Sequence, residues 1–391
     1  MKTTIKYSFI NASYWMMFCA VYGFANFYML QFGLISSQIG VILAVGNISA
    51  FFLQPLVASF ADRTKKFSLN QIILAFLFVF LFVISVLGLL TTQKYIIGAM
   101  FAVLVAMLFI LQPLINAISG CFESHNISIN FGVARSMGSL FYAIASYGIG
   151  ILINLFDPKI VLLTAAIFVG LLFFSTMFFK IPKTKLENEL ELASGFIRFF
   201  KDYPHFIGVA IGIACIFFFH TASNIYMFQI LSQYGGTSAD LGITLGLAAM
   251  LEVPTMFLFS KLNKHFHSAT LFKISAFFFV LKSIILINAD TVLLIQGQQI
   301  FQMFAFALFT PASVEYINQS VAPKDRVKGQ ALITTANTLG ATLSTLIGGR
   351  MLTSYGVHSM LFVSSIVVSI GFLVLLLFIK DPLKRKGRKK L

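Results

Sequence analysis

Apolar runs of about bilayer length follow one another almost from end to end of this 391-residue chain, parted by short charged or Gly/Pro/Ser breaks. A membrane-spanning helix asks for ~20 predominantly apolar residues. Breaks at that spacing predict about twelve spans, near 9–33, 39–60, 70–91, 95–120, 132–155, 159–179, 205–231, 240–260, 269–288, 291–317, 329–352 and 357–379. The longest polar stretch, KIPKTKLENELELASGFIRFFKDYP at 180–204, parts them six and six. The expected organisation is a six-helix bundle over 1–179, a cytoplasmic linker over 180–204, a second six-helix bundle over 205–379 and a basic cytoplasmic tail over 380–391. Glu187, Glu189 and Glu191 read as an acidic patch on a solvated linker helix.

Composition removes the soluble alternative. Hydrophobic residues make up 58% of the chain and charged ones 10%, with 46 phenylalanines, where a soluble domain carries about 25% charged residues. The net charge of +15 does not read as nucleic-acid binding, because the bases sit in breaks between spans and in the tail KDPLKRKGRKKL. Their distribution is topological instead. Arg63, Lys65 and Lys66, Lys180, Lys183 and Lys185, Lys261 and Lys264, and Lys324, Arg326 and Lys328 fall on one set of breaks, against little more than Lys94 and Lys159 on the other. By the positive-inside rule both termini are expected in the cytoplasm of a multi-pass inner-membrane protein. The first apolar run is too long for a signal peptide and lacks an A-x-A-like site. Cys19, Cys121 and Cys215 are far apart and read as small core residues. With no catalytic or nucleotide-binding motif and no metal spacing, the expectation is a non-enzyme without cofactors.

The two halves echo each other. Pro55 opens PLVASFADRTKKF and Pro254 opens PTMFLFSKLNKHF, each with a charge seven residues on and a phenylalanine twelve on; FGVAR (131–135) is echoed by KGQAL (328–332). Repeated halves place a solute site at their interface near the bilayer midplane.

Polar side chains deep in a span are functional candidates, since they tend to face the bundle interior or a cavity. On the fifth span Arg135, Ser139, Tyr142 and Ser146 are spaced to share one helical face. Two readings of Arg135 stand open: a planar fork of donors for solute, or a side chain snorkelling to the interface. Glu252 in the eighth span and Lys282 in the ninth are the clear acid and base of the second half, either a structural ion pair or a proton carrier with its tuning base. His220 and Asn224 lie one turn apart on the seventh span, and Gln299 and Gln302 form an i, i+3 pair on the tenth. Thr334, Asn337 and Ser344 share a stripe on the eleventh, and Tyr14, Tyr22 and Asn26 a face of the first. Each set either lines a cavity or hydrogen-bonds helices together. Glu123 and Glu315, near cytoplasmic ends, read as partners for loop bases.

Twelve spans, a long central loop and the D-R-x-K-K break after the second span resemble the major facilitator superfamily of transporters. The loop signature stands as Ala58, Asp62, Arg63, Lys65 and Lys66, with alanine and Thr64 where the family has glycine; the resemblance implies that Asp62 and Arg63 are gate residues. YWM (14–16), QPL (54–56), FGVARSMGSLFYA (131–143) and QMFAFALFTPASVEYI (302–317) are similar to the lactose permease branch, the oligosaccharide:proton symporters. The resemblance implies that Arg135 binds sugar hydroxyls, that Tyr142 stacks on the sugar ring, and that Lys282 and Gln302 stand at an arginine and a histidine near the proton site. Departures are equally specific. Asn116, Ala249 and Ala305 stand where that branch has carboxylates; these departures bear on both galactoside recognition and that proton relay, and Arg135 is expected to be freer than its counterpart, to hold solute rather than a protein carboxylate.

The expected function is a secondary transporter working by alternating access, a monomer that imports a sugar or similar polyhydroxylated solute with protons. Arg135, Ser139, Tyr142, Asn116, Tyr22 and Asn26 would bind from the first half, and His220, Asn224, Gln299, Gln302 and Asn337 from the second, with Glu252 and Lys282 coupling ion flow. The alternatives are an exporter of drugs or metabolites, a carrier of anionic solutes, and a non-transporting membrane sensor.

Overall fold

The computed structural model describes residues 2–64, 66–90, 93–123, 125, 127, 129–182, 198–322 and 325–380, and every regular element among them is a helix. Among the described residues ten helices are long and apolar enough to cross a bilayer. Two breaks supply the remaining crossings. The helix Arg326–Phe378 has 53 residues, about 80 Å at 1.5 Å per residue, against a hydrocarbon core of ~30 Å. It turns back at Gly356, whose φ of 81° and ψ of 178° leave the helical region in a conformation that a Cβ would strain. The first crossing consists of Lys2–Phe18 and Ala25–Gln31 joined by a π turn, Cys19–Gly23, so neither piece reaches bilayer length. Twelve crossings result among the described residues.

The others are Ser36–Arg63, Leu69–Leu90, Lys94–Glu123, Phe131–Leu155 and Ile160–Met177 in the first half. The second half has His205–Ile225 continued by Met227–Ser232, Ser238–His265, Ser268–Ile287, and a tenth span of Val292–Gly297, a 3₁₀ segment Gln298–Met303 and Phe306–Ser320. The first span begins at Lys2 rather than near 9, because backbone hydrogen bonding continues past the end of the apolar run. The acidic patch Glu187, Glu189 and Glu191 lies outside the described residues.

Within the first half, span 1 packs on spans 5 and 6, and span 2 on span 4; within the second, span 7 packs on the helix pair 11–12, and span 9 on span 10. The halves meet along two seams, span 2 on span 11 and span 5 on span 8. Lipid tails are as apolar as leucine, so close packing rather than hydrophobic burial holds such seams, and small residues permit it. A Cβ on Gly242 would lie 3.0 Å from Gly150 Cα, and one on Gly349 would lie 3.3 Å from Gly40 Cα. Both contacts fall at the end of the bundle away from the chain termini.

At that end the halves are also latched by hydrogen bonds. Asn26 Nδ2 donates to Ile225 O at 2.5 Å and to Gln229 Oε1 at 2.6 Å, while Gln229 Nε2 returns to Asn26 Oδ1 at 2.9 Å and Ser36 Oγ at 3.2 Å. Phe27 and Phe228 pack edge to face at 4.8 Å beside them. Toward the terminal side the interior opens. Along span 4, Phe109 and Gln112 are half-buried and Asn116 and Gly120 exposed; along span 10, Phe306 and Pro311 are half-buried and Thr310 and Val314 exposed. The bundle encloses a cleft with a floor at the Asn26–Gln229 latch and a mouth on the side of the termini.

Candidate functional site

The unbroken helix of span 5 sets the first wall of the cleft. Arg135 and Ser139 are one turn apart, and Arg135 Nη1 donates to Ser139 Oγ at 2.9 Å. The guanidinium lies over the ring of Trp15 on span 1, 4.0 Å from its centroid, a cation–π contact that partial desolvation strengthens. Gly138 makes room for it, because a Cβ there would strike Trp15. Arg135 is therefore half-buried and held in place. This corrects the expectation of a free arginine: the absent fourth-span carboxylate is replaced by an indole and a hydroxyl.

From Ser139 the hydrogen bonds continue into the second half. Ser139 Oγ donates to Glu252 Oε2 at 3.5 Å, and Gln302 Nε2 donates to Glu252 Oε1 at 3.1 Å. Lys282 Nζ donates to Gln302 Oε1 at 2.5 Å and to Gln299 Oε1 at 2.9 Å. One chain, Arg135–Ser139–Glu252–Gln302–Lys282–Gln299, thus crosses the interface. The carboxylate takes one bond from each half. Glu252 and Lys282 are not the direct ion pair considered from sequence; the Gln302 amide stands between them, its oxygen to the base and its nitrogen to the acid. Lys282 is 1% exposed, and its hydrogen-bond acceptors are neutral amides.

The local backbone explains why two glutamines serve one ammonium. Gln299 and Gln302 sit on the 3₁₀ segment, where three residues make a turn and side chains at i and i+3 eclipse. On an α-helix the same pair would stand about 60° apart around the axis. Beyond the 3₁₀ segment, Ala305, with φ of −82° and ψ of −93°, departs from the helix just ahead of Phe306–Ser320.

Aromatic rings line the cleft between this chain and the floor. On the first half Trp15, Phe18 and Phe109 are linked at 5.1 and 5.6 Å, with Tyr22 5.2 Å from both Phe18 and Phe109. On the second half His220 stacks on Phe306 at 4.6 Å with the planes 6° apart, and Phe217 packs against both. Asn224 Nδ2 donates to the His220 carbonyl at 2.6 Å and lies 3.3 Å from His220 Nδ1.

The remaining expected residues divide. Tyr22, Tyr142, His220, Asn224 and Asn337 are half-buried, and Asn116 is exposed. The carbonyl oxygen of Asn337 is buried without a hydrogen-bond partner. Asn26 belongs to the latch rather than to the walls. Its expected face was taken from an unbroken helix, and the π turn rotates everything after Gly23. Tyr14 is likewise buried in helix packing, donating to Leu108 O at 3.0 Å. Ser344 is buried while Thr334 is exposed, so their stripe spans two environments. Glu315 accepts from Gln319 at 2.6 Å rather than from a loop base. The side chains of Asp62, Arg63 and Glu123 lie outside the described residues. Sequence reasoning gave no role to Trp15 or Gln229. Trp15 is the chain's single tryptophan, and the nearest charge along the sequence is Lys6, so only the fold sets it under Arg135.

Twelve crossings among the described residues, six in each half around a polar interfacial cleft, define a multi-pass membrane transporter of the major facilitator type. The chain belongs to the MFS_1 like family, whose model matches residues 5–378. It is similar to the maltose permease of Geobacillus stearothermophilus, with 24% identity over 353 residues that cover 88% of this chain and 86% of the relative. In fold it resembles a mutant of the nucleoside transporter NupG, with a TM-score of 0.81, 15% identity and coverage of 96% of this chain and 98% of the other. It also resembles a POT family transporter solved with a thioalcohol conjugated peptide, with a TM-score of 0.76, 12% identity and coverage of 96% of each chain.

Proposed function

We propose that this protein imports a small polar solute, a sugar or oligosaccharide, together with protons across the bacterial cytoplasmic membrane, as a monomer with both termini in the cytoplasm. The observation that carries the reading is the hydrogen-bond chain from Arg135 to Lys282, with Glu252 bonded to both halves at once. A carboxylate so placed loses a partner whenever the halves move apart along the seam of spans 5 and 8. Its need for a proton then changes with the side on which the cleft is open, which is the requirement for coupling. In this reading Arg135, Tyr142, Asn116 and Asn337 offer donors and acceptors to hydroxyls, and the half-buried rings offer faces to the C–H surfaces of a sugar. The maltose permease relative supports the sugar assignment. Asp62 and Arg63 remain proposed as gate residues at the mouth.

The test is uptake of labelled sugars into proteoliposomes with and without an imposed pH gradient, in wild type and Glu252→Gln. Accumulation that follows the gradient in wild type only is the expected result. No sugar uptake by folded wild-type protein would overturn the cargo, and unchanged gradient-driven accumulation in the variant would remove Glu252 as the coupling acid. One observation favours a second cargo: Arg135 and Lys282 give the chain of bonds two cations against one carboxylate, a balance suited to an anionic solute. Inhibition by carboxylate-bearing competitors and not by neutral sugars would select it.

A further inference from the structure

The glutamines of span 10 form a ladder that solute binding does not account for. Gln296, Gln299 and Gln302 recur every three residues, over the 3₁₀ segment Gln298–Met303 and the helical turn ahead of it. Side chains at that spacing stack along one side of the span, each about 5–6 Å beyond the last. The three meet different partners. Gln296 Nε2 donates to Asp240 Oδ1 at 3.3 Å, in the first turn of span 8 at the end of the bundle away from the chain termini. Gln299 Oε1 accepts from Lys282, and Gln302 joins Lys282 to Glu252. Asp240 and Gln296 are half-buried, whereas Gln299, Lys282 and Gln302 are buried. A line of polar groups therefore leads from the sealed end to the carboxylate at the centre. It runs among spans 8, 9 and 10 of one half, so the Asn26–Gln229 latch that closes the cleft does not close this line.

One rung, between Gln296 and Gln299, is bridged by no side-chain bond. Gln299 is 0% exposed, yet its Nε2 has no hydrogen-bond partner, and neither amide atom of the preceding, equally buried Gln298 has one. Buried amides left unpartnered by protein are ordinarily satisfied by internal water, and a bridging water is nearly as good as a direct bond. Such a path would let protons reach Glu252 from the sealed end while the cleft is open at the other. A carboxylate reached from both sides at once passes protons without solute and dissipates the gradient. Lys282 stands in the way. The titratable groups near enough to feel its charge are Glu252 on span 8 and His220 on span 7. An excess proton travelling from Gln299 to Gln302 stays within hydrogen-bond distance of the ammonium throughout. Repulsion by a fixed cation in low-dielectric surroundings is what bars protons from other polar pores.

We propose that Lys282 is an electrostatic stopper, closing a water-bridged proton path that runs from Asp240 and Gln296 at the sealed end through Gln299 and Gln302 to Glu252. The inference rests on reading Glu252 as a proton site and adds the device that keeps this site open to one side only. It also gives a reason for the neutral partners. Two amide oxygens hold the ammonium in place without cancelling its charge, where a directly bonded carboxylate would remove the field that blocks the path. The interposed Gln302 keeps Glu252 one amide away.

The test is passive proton entry into liposomes that contain the full-length protein and a pH-sensitive dye, after a pH step, with the membrane potential clamped and no solute present. Wild type is expected to be as tight as protein-free liposomes. Lys282→Met is expected to speed proton entry about tenfold or more, the effect of lifting a like-charge barrier, while Lys282→Arg, which keeps the cation, stays tight. Adding Gln296→Leu to Lys282→Met removes the outer rung and is expected to restore the wild-type rate, and adding Glu252→Gln removes the inner end and does the same. Lys282→Gln takes the place of Lys282→Met should that variant fail to fold. A neutral variant as tight as wild type overturns the inference. So does a leak that survives both second substitutions, or one that admits sodium equally, since either reflects loosened packing. Failure of the coupling reading shows separately, as solute accumulation in folded wild type that ignores the pH gradient; the leak comparison is run without solute and does not depend on the cargo.

Discussion

The sealed end of the bundle and its mid-membrane centre hold the same two halves together by different means. At the sealed end the contacts are backbone against backbone at Gly40, Gly349, Gly150 and Gly242, with a reciprocal amide pair between Asn26 and Gln229. All of these groups are neutral. At the centre a hydrogen bond from Ser139 of span 5 to the Glu252 carboxylate of span 8 joins the halves. A neutral, tightly packed seam behaves alike whatever the charge on a proton site or the presence of solute. A seam made by one carboxylate depends on both. The sealed end therefore supplies the lock and the centre supplies the reason to open it.

Substitutions separate these roles. The largest effect is expected from Gly40→Leu, whose side chain would strike the backbone of span 11 at Thr345. Overpacking costs about 3 kcal/mol at the upper end, or roughly a hundredfold shift away from the sealed state, read as near-complete loss of uptake with ligand binding by Trp15 fluorescence retained. Loss of binding as well would mean that the seam and the centre are one unit. Glu252→Gln comes next: at least a tenfold loss of gradient-driven accumulation is expected, with solute exchange across the membrane preserved.

Lys282→Met leaves the Gln299 and Gln302 oxygens without their donor. Unpaired buried acceptors cost about 1–3 kcal/mol, and a fall in melting temperature of a few degrees is expected, measured on purified protein; a rise would show that the buried cation is a net burden. Ser139→Ala removes one bridge worth about 1 kcal/mol, a loss of roughly fivefold in solute affinity with melting unchanged. The smallest effect belongs to Arg198→Ala, which breaks an exposed i, i+4 pair with Asp202 at 3.9 Å. Such pairs contribute little, so uptake and melting are expected at wild-type values.

Much of the plan was legible because a bilayer imposes it. The length of each apolar run is set by membrane thickness, and eleven of the twelve crossings begin and end within a few residues of their expected places. Span 1 departs most, since its π turn leaves no mark in composition. The same hidden turn moved Asn26 from the wall to the floor. Span 10 shows the converse: Gln299 and Gln302 stand out as an i, i+3 pair, but the 3₁₀ segment that aligns them on Lys282 is not anticipated by a periodicity taken as α-helical.

The sequence by itself determined that this chain crosses a membrane about twelve times in two similar halves, and which few polar residues are buried there. Both follow from the local cost of placing polar groups in hydrocarbon, which each segment meets independently of the rest. Only the tertiary structure decided who pairs with whom: that Arg135 lies on Trp15, that Gln302 stands between Glu252 and Lys282, and that Asn26 closes the floor. Those pairings join residues tens to hundreds of positions apart. They depend on helix rotations and breaks that shift a side chain from one neighbour to another without changing the hydropathy of the span that carries it.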